Sequence, residues 1–501
     1  MKFLNGRFCT LQTKYILYRR IEMVKKFNIV NRGCMLFFFC FVLYFNNSVS
    51  ANSDYIDNSY IITMKEEGVS GEISEELIHK FPDIKFEFIN DIGVIKIHGN
   101  NEEITQKVLS YINKMYAVDS VSKDKRIYIP ETKIDNSKVD KNNFVDSQYK
   151  YFGFTPSFMP NGLYTRWQWN IDAVTANKKS YEFQMGNHEV TVAIIDSGID
   201  PNHPDLKNNI VAGGKSFIPG DESINDNTGH GTMVAGIIAA NGDLKGIAPN
   251  TGIAPYKVLN SEGGQSTWVI KAIIQAVDDG HEIINLSLGT FLSLKNKEEK
   301  ALIKAYNRAI NYAHKKGALV VASAGNQGID LSNPRKVSEQ LGILNDEQKY
   351  APGGLNSALS VGAVDKNNKF ENYSNYGWML DVTAPGGDFG PLYEKEGIVD
   401  VRHLILTTYP TYLPNYIAEN GDLPRGYEFS YGTSLSTPTV SAVAALILTE
   451  YKEEKSKNLS IDEIQNIMYQ TTLKVGTNRK EKLSGRGTVD AYEALKLINN
   501  K

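Results

Sequence analysis

The 501-residue sequence is poor in cysteine, in net charge and in long apolar stretches, and each shortage excludes something. Its three cysteines are Cys9, Cys34 and Cys40, and none follows. A chain cut beyond that point holds no disulfide, no thiolate nucleophile and no Cys-ligated metal. Its stability must come from core burial, which a chain of this length permits. The formal net charge is −3 with 22% charged residues, and no dense basic stripe appears, so a nucleic-acid partner is not expected. The apolar run at residues 35–45 falls short of the ~20 residues a membrane-spanning helix needs. It follows Lys25, Lys26 and Arg32 and precedes NNSVSA, the order of a secretory signal, with cleavage expected after Ala51. Met23 is an alternative start. A secreted mature chain without a stable membrane span is therefore expected.

Two patterns follow along the chain. From about residue 60 to 130, strand-like YIITM, KFEFI, GVIKIH and RIYIP alternate with helical stretches at 74–80 and 102–114 in β-α-β-β-α-β order, a small split-βαβ or ferredoxin-like domain. Residues 131–150 are polar and lysine-rich and read as an exposed linker open to proteolytic nicking. Beyond it, short continuous apolar runs (VTVAII, ALVVAS, ALSVGAV) alternate with helical periodicity at 266–279 and 297–316. Strands buried on both faces and separated by helices imply an α/β domain with a mainly parallel sheet. The Tyr-, Pro- and Gly-rich stretch 386–432 reads as loops beside the site.

Three short motifs could carry chemistry. In VAIIDSGID, Asp196 ends a buried strand, where parallel sheets gather their ligands; a turn-capping aspartate is the alternative. In NTGHGTMVAGIIAA, His230 stands between two glycines at a helix start, which suits a proton shuttle as well as a structural histidine. In GTSLSTP, four hydroxyls precede an apolar helix, either as a nucleophile site or as an N-cap cluster. Pro438 is expected in the first helical turn, with Ser436 and Thr437 capping it. His314, late in a lysine-flanked helix, reads as a cation at the helix C-terminus. Asp200 and Asp205 read as turn residues. Serine needs a base, and the base needs a carboxylate to fix its tautomer; Asp, His and Ser occur here in that order.

With IIDSGIDPNHPDL, GHGTMVAG and GTSLSTP joined in one chain, the sequence resembles the subtilisin-like serine proteases, or subtilases, from about residue 167 to 497. The resemblance implies a three-layer α/β domain at 151–501. It also implies Asp196 as orienting carboxylate, His230 as general base and acid, and Ser434, the serine directly after Gly-Thr, as nucleophile. Asn326 in ASAGNQG matches the oxyanion asparagine; an αL turn residue is its plainer reading. Gly263 and Gly264 on one side, and Ser287, Leu288 and Gly289 on the other, match the walls that receive an extended peptide. Residues 52–130 match an inhibitory propeptide, cut away within 131–150.

Within the family, GHGTMVAGIIAANGDLKGIAPN, WVIKAIIQAVDDGHEIINLSLG, VVASAGNQGID, APGGDFG and ILTTY resemble the lantibiotic leader peptidases, which remove the leader of a modified bacteriocin precursor outside the producing cell. Those enzymes often cleave after arginine, which wants a carboxylate in the pocket, yet Gln327 follows Asn326 here. The C-terminal LKLINNK carries no wall-anchor motif, so a released monomer is expected. NGDLKG is shorter than the loop that holds the strong calcium site of typical subtilisins. Asp205 alone cannot supply the six to eight oxygens calcium takes, so no cofactor is required and calcium is expected only at other, unidentified sites. The competing readings are a general degradative subtilase and a catalytically silent binding protein with the same fold.

Overall fold

A computed structural model of the chain describes residues 59–99, 101–129, 134–141, 167–211, 214–455, 459–475 and 484–500. The expected signal segment and most of the expected linker lie outside the described residues.

The first sheet is small and antiparallel. Strands β1 (Ser59–Met64), β2 (Lys85–Ile89), β3 (Val94–His98) and β4 (Val118–Lys123) pair in the order β2-β3-β1-β4. Helices α1 (Gly71–Lys80) and α2 (Glu102–Ile112) start at true N-caps, Ser70 and Asn101, whose side chains accept from Ile73 and Ile104 N–H. Their apolar stripes close on Ile62, Met64, Ile95 and Ile97 to make a separate core. This is the ferredoxin-like arrangement, with one correction. RIYIP was expected as its last strand, but that place belongs to the polar stretch Val118–Lys123. Only one of that strand's six residues is fully buried, so its alternation carries little hydrophobic signal.

The large sheet is wholly parallel, with seven strands in the order β16-β15-β13-β11-β6-β8-β7. They are β6 (Thr191–Asp196), β7 (Lys215–Ser216), β8 (Gly252–Lys257), β11 (Ile283–Leu286), β13 (Leu319–Ser323), β15 (Leu359–Val364) and β16 (Val382–Pro385). Alternate residues of β6 enter different cores: Val192 and Ile194 on one face, Ala193 and Ile195 on the other. Helices α3 (His230–Ala239) and α6 (Thr433–Lys455) cover the first face; α4 (Ser266–Asp278) and α5 (Lys297–Lys315) cover the second. Both faces are thus dry, which is why these strands read as unbroken apolar runs. Strand order reverses around β6, which places a switch point at the carboxyl end of that strand.

Shorter ladders border the site: β5 (Arg126–Ile127) with β10 (Gly263–Gln265) and β9 (Leu259–Asn260), β12 (Thr290–Ser293) with β14 (Gln348–Ala351), and β17 (Ile405–Thr408) with β18 (Tyr427–Ser430). The stretch expected as loops therefore contains a hairpin. The small domain rests on α5, where the buried Arg308 guanidinium donates to the carbonyls of Ile92 and Lys65, each at 3.0 Å. His314 departs from expectation: burial pushes its pKa down, so it is not a cation near neutral pH.

Candidate active site

Asp196 is the last residue of β6 and is fully buried. Its Oδ1 accepts the N–H of Ser197 at 2.7 Å and lies 2.7 Å from His230 Nδ1. Burial raises the carboxyl above its ordinary range, and the imidazole beside it pulls the other way. With a carboxylate as its acceptor, Nδ1 carries the proton and Nε2 becomes the basic nitrogen. The helix that presents His230 has to approach the β6 turn closely. A Cβ on Gly231 would lie 2.1 Å from the Gly198 carbonyl oxygen, so only glycine fits there.

A second carboxylate, not singled out from the sequence, sets this geometry. Asp226 Oδ1 accepts Ser197 Oγ at 2.8 Å, Gly229 N–H at 2.8 Å and Thr228 N–H at 3.0 Å; Oδ2 accepts the N–H and hydroxyl of Thr232. Ser197 Oγ in turn accepts the N–H of Gly231 at 2.9 Å. The orphan donors at the start of α3 are thereby joined to the turn after Asp196. The only sequence signal was an aspartate shortly before a helix start.

Ser434 lies in the first turn of α6, fully buried, and Leu435 beside it packs with Met233 of α3, Ile237, Ile405 and Tyr409. That cluster fixes the serine helix against the histidine helix. Pro438 sits deeper than the expected first turn and cannot donate to the Ser434 carbonyl one turn back. The Ser287 hydroxyl donates to that carbonyl instead, at 2.7 Å. Ser436 and Thr437 are not caps: both are inside the helix, and Thr437 Oγ1 donates back to the Thr433 carbonyl at 2.7 Å. Thr433 does shape the turn. Its N–H and hydroxyl both donate to Asn326 Oδ1, at 2.9 and 2.8 Å. That fixes the amide and turns Nδ2 toward Gly432, where a Cβ would lie 2.8 Å from Nδ2 and 3.2 Å from Ser434 Oγ. The donor and the serine oxygen thus border one small space.

The two expected walls border a cleft, and the cleft holds a strand of the chain itself. β5 pairs antiparallel with β10, Ile127 opposite Gly264, and Tyr128 bridges to Gly289 on the other side. RIYIP is therefore a strand, but of this cleft and not of the small sheet. Leu288 is buried beneath the second wall. A hollow of about 590 Å³ beside it is lined by His230, Met233, Tyr128, Tyr409, Leu413 and Tyr416. Further on, Asn136 Nδ2 donates to the Tyr416 carbonyl at 2.9 Å, and Val139, expected in an exposed linker, is buried and bridges to Val399. The loop carrying Tyr416 is tied down by the buried Glu428 carboxylate, which accepts the N–H groups of Ala418 at 2.9 Å and Phe429 at 2.8 Å. Glu428, too, was not legible as a site residue.

Asp200 Oδ1 accepts the N–H of Asn202 at 2.9 Å, as the expected turn residue does, whereas Asp205, though it sits in a turn, bonds outside it. Asp205 accepts the N–H groups of Asp243 and Leu244 at 3.1 and 2.9 Å, so the short NGDLKG loop occupies the carboxylate. One trio of acids among the described residues, Asp365, Glu371 and Asp388, brings carboxylate oxygens within 4.8 Å of one another. Burial and the two neighbouring carboxylates push Glu371 up to about 8. Asp388 already binds His403 Nδ1 at 2.9 Å and Gly390 N–H, and Asp365 the N–H groups of Asn367 and Lys369, so the oxygens are largely engaged and fit a calcium ion poorly.

Residues 187–489 match the subtilase family model. The epidermin leader peptide-processing serine protease of Staphylococcus epidermidis is 31% identical over 357 residues, 66% of this chain and 74% of that one. The crystal structure of the epidermin leader peptide-processing serine protease of Staphylococcus aureus is 30% identical, with a TM-score of 0.70 over 90% of this chain and 100% of that chain. A crystal structure of a lanthipeptide protease is 40% identical, with a TM-score of 0.60 over 67% of this chain and 95% of that chain. With the family matched across most of the large domain, and with relatives this similar over most of their own length, the chain belongs to the subtilase family of serine peptidases.

Proposed function

We propose that the chain is a secreted, self-maturing endopeptidase that removes the leader of a lantibiotic-type precursor, with Asp196, His230 and Ser434 as its triad. In this reading His230 Nε2 takes the Ser434 hydroxyl proton as Oγ attacks the scissile carbonyl. Asp196 holds the imidazole tautomer and stabilises the cation that forms. Asn326 Nδ2 and the Ser434 N–H receive the developing oxyanion. The protonated imidazole then gives its proton to the leaving amine, and water reverses the sequence to free the acyl group.

The observation that carries the reading is the buried His230–Asp196 pair at the head of a cleft into which an extended segment is already paired as an extra strand. The same pairing supports residues 52–130 as an inhibitory propeptide. Ile129 and Ile134 both line the hollow that His230 borders, which supports a maturation cut close to them, at the start of the expected 131–150 region. The leader-processing relatives support a precursor peptide as substrate. No cofactor is assigned; the acidic trio is too engaged to be offered as a calcium site. Among the described residues no helix is long and apolar enough to cross a membrane.

Presenting the matured enzyme with a lantibiotic-type precursor and with casein separates the two peptidase readings. Leader release with little casein turnover is expected. Efficient casein degradation without leader release makes the chain a general degradative subtilase.

A further inference from the structure

We propose that the face of α4 and α5 covered by the small domain becomes, once that domain leaves, a docking surface for an acidic segment of the substrate upstream of the cut, with Lys271, Lys304, Arg308 and Lys315 as its cationic rim. The inference rests on the peptidase reading, in which residues 52–130 are released after maturation. Lys297, Lys300, Lys304, Arg308 and Lys315 fall within about 80° of one another around α5, so one side of that helix is a basic stripe. The small domain meets this face with acids and carbonyls. Asp119 Oδ2 binds Lys304 Nζ at 2.9 Å, Glu67 binds Lys315 at 2.7 Å and Glu87 binds Lys271 of α4 at 2.6 Å, while Arg308 takes the Ile92 and Lys65 carbonyls. Ile61, Ile92 and Val94 of the small sheet share one buried cluster with Ile274 of α4 and Leu302 and Ala309 of α5. Release therefore uncovers an apolar floor with a cationic rim, and surfaces of that kind mark interaction sites.

The path of the chain fixes what this surface can receive. β5 enters the cleft antiparallel to β10, with Arg126 opposite Gln265 and Ile127 opposite Gly264, and the N–H of Ser266, the first residue of α4, donates to the Lys125 carbonyl at 2.9 Å. Its upstream end thus leaves the cleft at the start of α4. Lys125 next binds Glu299 of α5 at 2.7 Å, a contact of opposite sense, and Asp119 then binds Lys304, so the chain runs upstream along α5 toward the helix C-terminus. A substrate added as a strand in the same slot has the same direction, because the pairing sets it. A side chain eight positions before the residue that faces Gly264, as Asp119 stands before Ile127, reaches Lys304. Lys315 lies about 17 Å further along the helix, a span that about five more extended residues cover. The rim and floor together favour a segment of acidic and apolar side chains, whose charge also steers it to the enzyme.

The test offers the matured enzyme, freed of its small domain, three peptides that each carry the chain's own RIYIPETKI at the cut. One has an upstream segment of glutamates and leucines, one has glutamines in place of the glutamates, and one lacks the segment. The acidic peptide should show a KM about 5–10-fold below that of the glutamine peptide with kcat little changed, and the gap should close in ~0.5 M salt. Lys304→Gln combined with Lys315→Gln should bring the two KM values together. Equal KM values in the wild type, or a gap that the double variant leaves intact, overturns the proposal. If the double variant does not mature, the wild-type series and its salt dependence decide it alone. Sedimentation of the enzyme with anionic phospholipid vesicles, without any preference for the acidic peptide, would assign the face to a membrane surface and overturn the proposal as well. Cleavage of none of the three would instead remove the peptidase reading beneath it.

Discussion

At the scale of single residues, the site is a set of polar groups each held by a partner chosen for one job. Ser287 matches the family's substrate wall by position, and its hydroxyl also supplies the hydrogen bond that Pro438 denies the Ser434 carbonyl. Ser287→Ala should remove this buried hydrogen bond and lower stability by about 1–3 kcal/mol, read from urea unfolding midpoints. Asn326 is different, because its oxygen is structural and its nitrogen faces the space beside Ser434. Asn326→Ala should cut kcat by roughly 10²–10³-fold with a much smaller effect on KM, which steady-state kinetics would separate. These motif residues were legible in the sequence because their chemistry demands a type at a spacing. Asp226 and Glu428 were not, because their partners are backbone N–H groups brought together only by folding, and a carboxylate before a turn looks like any other.

Among the elements, the small sheet and the cleft strand do different work. The long amphipathic helices of the large domain were legible from their period, and its dry strands from unbroken apolar runs. The error at Val118–Lys123 and RIYIP came from reading burial as membership: the apolar strand is buried against another domain's sheet edge, while the polar one completes its own. Docking of the small domain onto α4 and α5 uses charge as well. Glu87 Oε1 accepts from His98 at 3.1 Å and Oε2 binds Lys271 Nζ at 2.6 Å, and these contacts hold the carboxyl well below its ordinary value of 4.5. His98 belongs to the same small sheet and stays with Glu87 on release, so of these two contacts only that with Lys271 ties docking to pH: it is complete while the carboxyl is ionised and is lost as pH falls well below 4.5. Burial at Asp124 in the same interface acts with the opposite sign. After cleavage, the small domain should therefore release more readily in acid, and Glu87→Gln should flatten that dependence in size-exclusion runs across pH.

As a whole molecule, the chain joins the buried Asp196–His230 pair of the proposed triad to a segment of itself laid through the neighbouring cleft. Such a molecule should cut itself before it cuts anything else, and the same serine should do both. The direct measurement is N-terminal sequencing and intact mass of the purified full chain beside its Ser434→Ala variant. The account predicts a new N-terminus between positions 130 and 134 in the wild type, and a Ser434→Ala chain that stays uncut. A Ser434→Ala chain that matures at the same bond would contradict it.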